Sequence, residues 1–283
     1  MPARLEAAGT KPGPLFLGRH LCAPDPGGEG GGIVTAFLTL TRREMGSYLV
    51  TWTGYVVIAA VLFVLGLGLL GLIQALNLEP ASFSITELFY DTFVFWLVLV
   101  VATPVITMRL FAQEKQSGTF ETLMTAPVSD LVVVLAKFFA ALLFYCLMWL
   151  PMLGMLFALR RLTQASESLD PGALATTCLG VFLLGMLYIA MGCWASSLTR
   201  SQVIAAMGAF VLGLSLFLAG YLAYAVPPQV GWPHLALNQM NIHQHMKDFA
   251  RGVLDTRAVV FLLGGTFLFL FLTLKSVESR RWK

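Results

Sequence analysis

The sequence predicts an all-α integral membrane protein with six transmembrane helices. Of its 283 residues, 58% are hydrophobic and only 12% charged, where a soluble domain carries about 25% charged residues. That is too little charge to cover a water-facing surface, and the mean hydropathy of +0.79 agrees. Six apolar runs have the length needed to cross a hydrocarbon core about 30 Å thick: Tyr48–Ile73, Leu88–Met108, Leu131–Leu159, Ala173–Leu198, Val203–Val226 and Ala258–Leu274. Between the second and third lies a polar island, Thr107–Asp130, whose ionisable groups are too costly to leave in lipid.

Residues 1–32 read as a flexible leader rich in Pro and Gly. No continuous apolar core follows the early Arg and Lys, so a cleaved signal peptide is not expected. From Val34 to Leu49 the pattern becomes helical. Val34, Phe37, Leu38, Thr41, Met45, Tyr48 and Leu49 share one face, with Thr35, Thr39, Arg42, Arg43 and Gly46 on the other. This is the pattern of an amphipathic helix lying in the membrane interface; the other reading is an extension of the first span.

Within the spans, Pro104 and Pro151 are tolerated at the cost of a kink, because neighbouring helices re-satisfy the freed carbonyls. Lys137 is expected to snorkel toward the inner membrane surface. Glycines at 66, 68 and 71, at 180, 185 and 192, and at 208, 213 and 220 permit close helix approach, within the chain or between subunits. Cys146, Cys178 and Cys193 fall in apolar spans, so no disulfide framework is suggested. Glu87 and Asp91, one turn apart near an outer span end, sit at headgroup depth or line a polar cavity.

The polar island reads as structured. Gly118 and Thr119 open a short helix whose first turn holds Glu121, placed favourably against the helix dipole. Pro127 limits it, and Ser129 or Asp130 caps the next span. Phe120, Leu123 and Met124 give this helix one apolar side. A surface helix with an unburied apolar face is a docking element.

Orientation follows from the basic residues. With the N-terminus inside, only Arg160, Arg161, Lys247, Arg251 and Arg257 of the 18 Lys and Arg lie outside. Both termini are therefore expected in the cytosol. The last outer loop, Val226–Asp255, holds His234, His243 and His245 with Met240 and Met246. Imidazole with thioether suits Cu(I). However, Leu237–Arg251 reads as a helix closed by Gly252, on which His243 and His245 diverge. Solvated histidines on an amphipathic outer helix are the preferred reading, and no metal site is assigned.

The island string TMRLFAQEKQSGTFETLMTAPVSD, followed by VVLAKF, resembles the first cytoplasmic loop of type-2 ABC permeases. The gliding-motility and nitrous-oxide-reductase-maturation kind is the most similar. The tail HMKDFARGVLDTRAVVFLLGGTFLFLFLTLKSVESRRW resembles the last outer helix and final span of that subfamily. The resemblance runs from about Val34 to the end, making 33–283 one transmembrane permease domain in a bacterial inner membrane.

It implies an interfacial elbow helix containing Phe37, Arg42, Arg43 and Tyr48. It also implies a coupling helix that docks on a cytoplasmic ATP-binding subunit. There Glu114, Lys115 and Glu121 would fix register by charge, Phe120, Leu123 and Met124 would fill a groove, and Gly118, Thr119 and Pro127 would shape the turn. There is no internal repeat, so one chain is half a transmembrane domain, paired with an identical or different second permease.

The sequence contains no GxxxxGK followed by Ser or Thr, and no GxSxG, HExxH or CxxC. The chain is thus not expected to be an enzyme; ATP and Mg would be bound by the partner subunit. The expected activity is ATP-coupled transport, most simply export. In the alternative, the chain transmits mechanical work to an extracytoplasmic partner and nothing crosses the bilayer. Membrane lipid is an expected partner and nucleic acid is not.

Overall fold

The computed structural model describes residues 29–78, 90, 92–120, 128–163, 171–225 and 239–279. The regular elements among them are helices: α1 (Glu29–Val50), α2 (Trp52–Leu78), α3 (Phe93–Thr107), α4 (Ala112–Ser117), α5 (Asp130–Thr163), α6 (Pro171–Leu198), α7 (Gln202–Ala225), α8 (Ile242–Ala250) and α9 (Thr256–Glu278). Six stretches are long and apolar enough to cross a membrane: Trp52–Gly71, Phe93–Ser117, Asp130–Met155, Gly172–Leu198, Gln202–Leu222 and Thr256–Glu278. The protein is an all-helical, multi-pass membrane protein, as the composition predicts. The leader before residue 29, together with Glu87, Asp91, Glu121, Leu123, Met124, Pro127 and His234, lies outside the described residues.

The start of the first span is a correction. Tyr48–Val50 belong to α1, and the chain bends at Thr51 before α2 begins. Gly54 makes that bend possible, because a Cβ there would meet the Tyr48 carbonyl oxygen at 2.1 Å. The apolar run is continuous through the bend, so hydropathy alone does not reveal it.

The central helix is α6, which packs against α3, α5, α7, α8 and α9. Leu184, Ile189, Ala190 and Cys193 are wholly buried along it. Its glycines bring the neighbours close. A Cβ at Gly185 would lie 2.2 Å from the Tyr145 ring, and one at Gly180 would lie 3.0 Å from Phe249. The first-span glycines are mixed: a Cβ at Gly68 would lie 3.0 Å from Val94 of α3, while Gly66 and Gly71 have nothing within 4 Å of a built Cβ. Apolar side chains such as Phe63, Met207 and Val260 point outward from α2, α7 and α9, as a lipid-facing surface requires.

Side-chain contacts fix which helix ends meet. At one end, Lys137 of α5 reaches Glu114 of α4, Gln202 of α7 reaches Gln116, and Ser276 of α9 reaches the Ser197 carbonyl of α6. At the other, α8 lies across the bundle. His243 contacts Trp96 of α3 and Phe217 of α7, and Thr176 of α6 donates to the Phe249 carbonyl. The spans therefore alternate in direction, and the basic residues Arg109, Lys115, Lys137 and Lys275 gather at the end bearing α4.

Candidate functional site

The polar island leaves the bundle through a turn that is stapled to α6. Pro104 lies inside α3, and its carbonyl accepts from Met108 N at 2.9 Å. The Ser196 hydroxyl then accepts from the Phe111 and Ala112 amides, each at 3.1 Å, and donates to the Met108 carbonyl at 3.3 Å. Leu110, Phe111 and Ala112 are buried, so unpaired peptide groups here would be costly. One serine meets three of those needs.

Further anchors surround the turn. Arg109 Nη1 donates to Thr53 Oγ1 at 2.7 Å, joining the island to the start of α2. The Tyr48 hydroxyl donates to the Ile106 carbonyl at 2.9 Å, and its ring stacks on Phe144 at 4.8 Å. Phe37 meets Phe139 edge to face, so α1 is laid along α5 by two aromatic pairs. Arg42 and Arg43 are exposed on its outer face, while the apolar Val34, Leu38 and Leu49 are exposed as well. The packed face of α1 is thus narrower than the sequence pattern suggests, and it contains Glu44.

Glu44 is the residue that sequence reasoning missed. Its Oε1 pairs with Lys137 Nζ at 3.0 Å, while Glu114 Oε1 pairs with the same ammonium at 2.8 Å. Lys137 is 3% exposed, against 16% and 17% for the two glutamates. Its ammonium also sits 5.6 Å above the Phe111 ring. The expected snorkelling is therefore corrected: two carboxylates inside the protein give Lys137 a better partner than the membrane surface. A signal existed, since Lys137 is the one charged residue between Asp130 and Arg160, and a lone intramembrane charge calls for a named partner.

Of the residues assigned to docking, Glu114, Lys115 and Phe120 turn inward. Lys115 Nζ donates to the Ser197 carbonyl and lies 5.2 Å above the Phe120 ring, and both residues are buried. Adjacent residues on a helix point apart, so Glu114 reaches α5 while Lys115 reaches α6. Gly118 adopts φ +75° and ends α4, a backbone that suits glycine at a helix C-terminus. Helical geometry resumes at Thr119. Gln113, Gln116, Ser117, Gly118 and Thr119 form the exposed tip. The sequence did not anticipate α4 as a separate turn before the glycine.

At the far end, α8 starts at Asn241, whose side chain accepts from Gln244 N. Its histidines diverge, but they are not solvated, which corrects the second half of that expectation. His243 is 9% exposed inside a box of Trp96, Phe217 and Tyr221, with centroids at 4.2, 4.9 and 4.5 Å. His245 is 7% exposed; it faces Phe261, and its Nε2 lies 3.0 Å from the Gln239 carbonyl. The helix packs down on the bundle, so both rings find aromatic neighbours. Among the described residues no three His, Cys, Asp or Glu side chains converge as a metal-ligand set.

Six helices long and apolar enough to cross a membrane, with a polar segment anchored between the second and third, make a multi-pass membrane protein. Residues 50–216, more than half of the chain, match the model of the ABC-2 family transporter proteins. The chain belongs to that family, and is a multi-pass permease subunit of an ABC transporter, a class whose partner is an ATP-binding subunit. The matched segment contains the whole turn around Ser196, Glu114 and Lys137. A comparison with curated proteins finds no match.

Proposed function

We propose that this chain is half of the transmembrane domain of an exporter in a bacterial inner membrane, with both termini in the cytosol. Two such halves, identical or different, would flank the path. A separate cytoplasmic subunit would bind ATP and Mg, and dock on the polar segment after α4. The observation that carries this reading is the segment's construction. Its root is anchored to α2, α5 and α6 through Arg109, Glu114, Lys115 and Ser196, while its tip, Gln116 to Thr119, is exposed. A rigid root under a free tip suits a lever. Approach of two ATPase subunits would move both tips together and shift the spans between inward- and outward-open arrangements. The tail's resemblance supports the gliding-motility and nitrous-oxide-reductase-maturation kind, with an extracytoplasmic auxiliary protein as a further partner.

The test is purification of the tagged chain, alone and co-expressed with a cytoplasmic ATP-binding subunit of the same organism. The chain alone should hydrolyse no ATP. The complex should do so, and should drive ATP-dependent flux in liposomes. Hydrolysis by the chain alone, or failure to recover the ATPase, overturns the assignment. A stable complex with an outer protein and no flux would replace transport by mechanical transmission.

A further inference from the structure

Lys137 lies about two turns into α5 and holds two carboxylates from two other helices, Glu44 on α1 and Glu114 on α4. A buried cation needs one anion to balance it. Here there are two, so the cluster carries a formal charge of −1, and Glu114 Oε2 is buried with no hydrogen-bond partner. Stability alone does not explain this arrangement, because apolar residues of similar volume commonly replace a buried ion cluster without loss. The stoichiometry suits a releasable contact. If α4 moves away, Lys137 keeps Glu44, and no unpaired cation is left buried. Glu114 leaves as an anion that water solvates at no comparable cost.

We propose that Lys137 is a positioning residue, a reversible charge latch that clamps α4 to α1 and α5, with Glu114 as the releasable arm and Glu44 as the permanent one. Displacement of the tip beyond α4 is thereby carried into the third span and the α1 helix together. This rests on the reading that the segment after α4 is the docking element.

The two glutamates should therefore be unequal. In the full-length chain in nanodiscs, with its native cysteines replaced, a spin label at Gln113→Cys, an exposed position on α4, reports mobility. Glu114→Gln should keep the wild-type melting temperature, because Glu44 still balances Lys137. It should raise the mobile fraction of the label by about tenfold, roughly what losing a charge-assisted hydrogen bond is worth. Glu44→Gln should leave the label immobile. The neutral triple variant, Lys137→Met with Glu44→Gln and Glu114→Gln, should stay folded and show the mobile label.

In complex with the ATPase, Glu114→Gln should retain the subunit but lose coupling between hydrolysis and flux. Equal label mobility in Glu114→Gln and wild type overturns the latch, as does equal mobilisation by Glu44→Gln. If the wild-type chain recovers no ATPase, the docking reading falls, and the label alone then decides the latch.

Discussion

Gly192 of α6 faces Thr107 at the end of α3 so closely that a Cβ on the glycine would lie 2.2 Å from the threonine Oγ1 and 2.6 Å from its Cβ. Thr107 is wholly buried, and its hydroxyl donates to the Thr103 carbonyl at 2.9 Å. The hydroxyl could rotate away from an added methyl; the threonine Cβ could not. Replacing Gly192 by Ala gains about 1 kcal/mol of helix propensity, while overpacking costs about 1–3 kcal/mol. The clash involves a branched carbon fixed to the backbone, so the cost prevails. Gly192→Ala should lower the melting temperature of the purified chain, whereas Gly66→Ala, with nothing within 4 Å of its Cβ, should not. A Gly192→Ala protein as stable as wild type would show that α3 and α6 are not held this tightly.

Ser196 makes a second prediction at the same end of the bundle. Its Oγ receives the Phe111 and Ala112 amides. Alanine leaves two buried donors without that acceptor, and an unsatisfied buried group costs about 1–3 kcal/mol. Ser196→Ala should lower thermal stability and speed amide exchange at 111 and 112. Unchanged exchange in Ser196→Ala would mean the turn has other support.

Much of the fold was legible because crossing a bilayer imposes a length and a composition that local sequence must satisfy. What stayed hidden depends on partners distant in the chain. The lone charge at Lys137 calls for a partner, but Glu44 is 93 residues away and nothing near either identifies the other. Lys115 looked available for docking because hydropathy does not know that a carbonyl at 197 lies within reach. The α8 histidines looked solvated because their own helix is polar, while the box around His243 comes from α3 and α7. The bend at Thr51 hid inside a continuous apolar run. The exposed tip, from Ser117 to Thr119, was legible from Gly118.

Topology gives a third prediction. Contacts put α4 and α8 at opposite ends of the bundle, with Ser117 and Gln244 both exposed. Whatever side one occupies, the other must occupy the opposite. On the proposed orientation, the end bearing α4, where Lys and Arg concentrate, faces the cytosol. Cysteine labelling in intact cells should therefore find Ser117 and Lys283 inside, and Ser82, Ser166 and Gln244 outside. Labelling Ser117 only from outside would reverse the orientation and remove the docking proposal with it.

The proposed docking surface makes the last prediction at Glu121, which follows the helical Thr119 and Phe120 and lies outside the described residues. Glu114 is already engaged by Lys137 and Lys115 by Ser197, so Glu121 can be tested as a partner contact without breaking the latch. Lysine in the first turn of a helix opposes its dipole, at about 0.3–1 kcal/mol. Against a complementary charge on the ATPase, loss of a desolvated pair costs about 2–5 kcal/mol. The two effects act in the same direction, so affinity should fall by about tenfold for each 1.4 kcal/mol lost. Expression and melting temperature should stay near wild type, because the sequence places the residue in a water-exposed loop. Glu167→Lys, in the loop predicted between the third and fourth spans, is the control and should be silent. Recovery of the ATPase subunit with each variant decides the matter: a sharp drop with Glu121→Lys alone supports docking there, and equal recovery with both places the docking surface elsewhere.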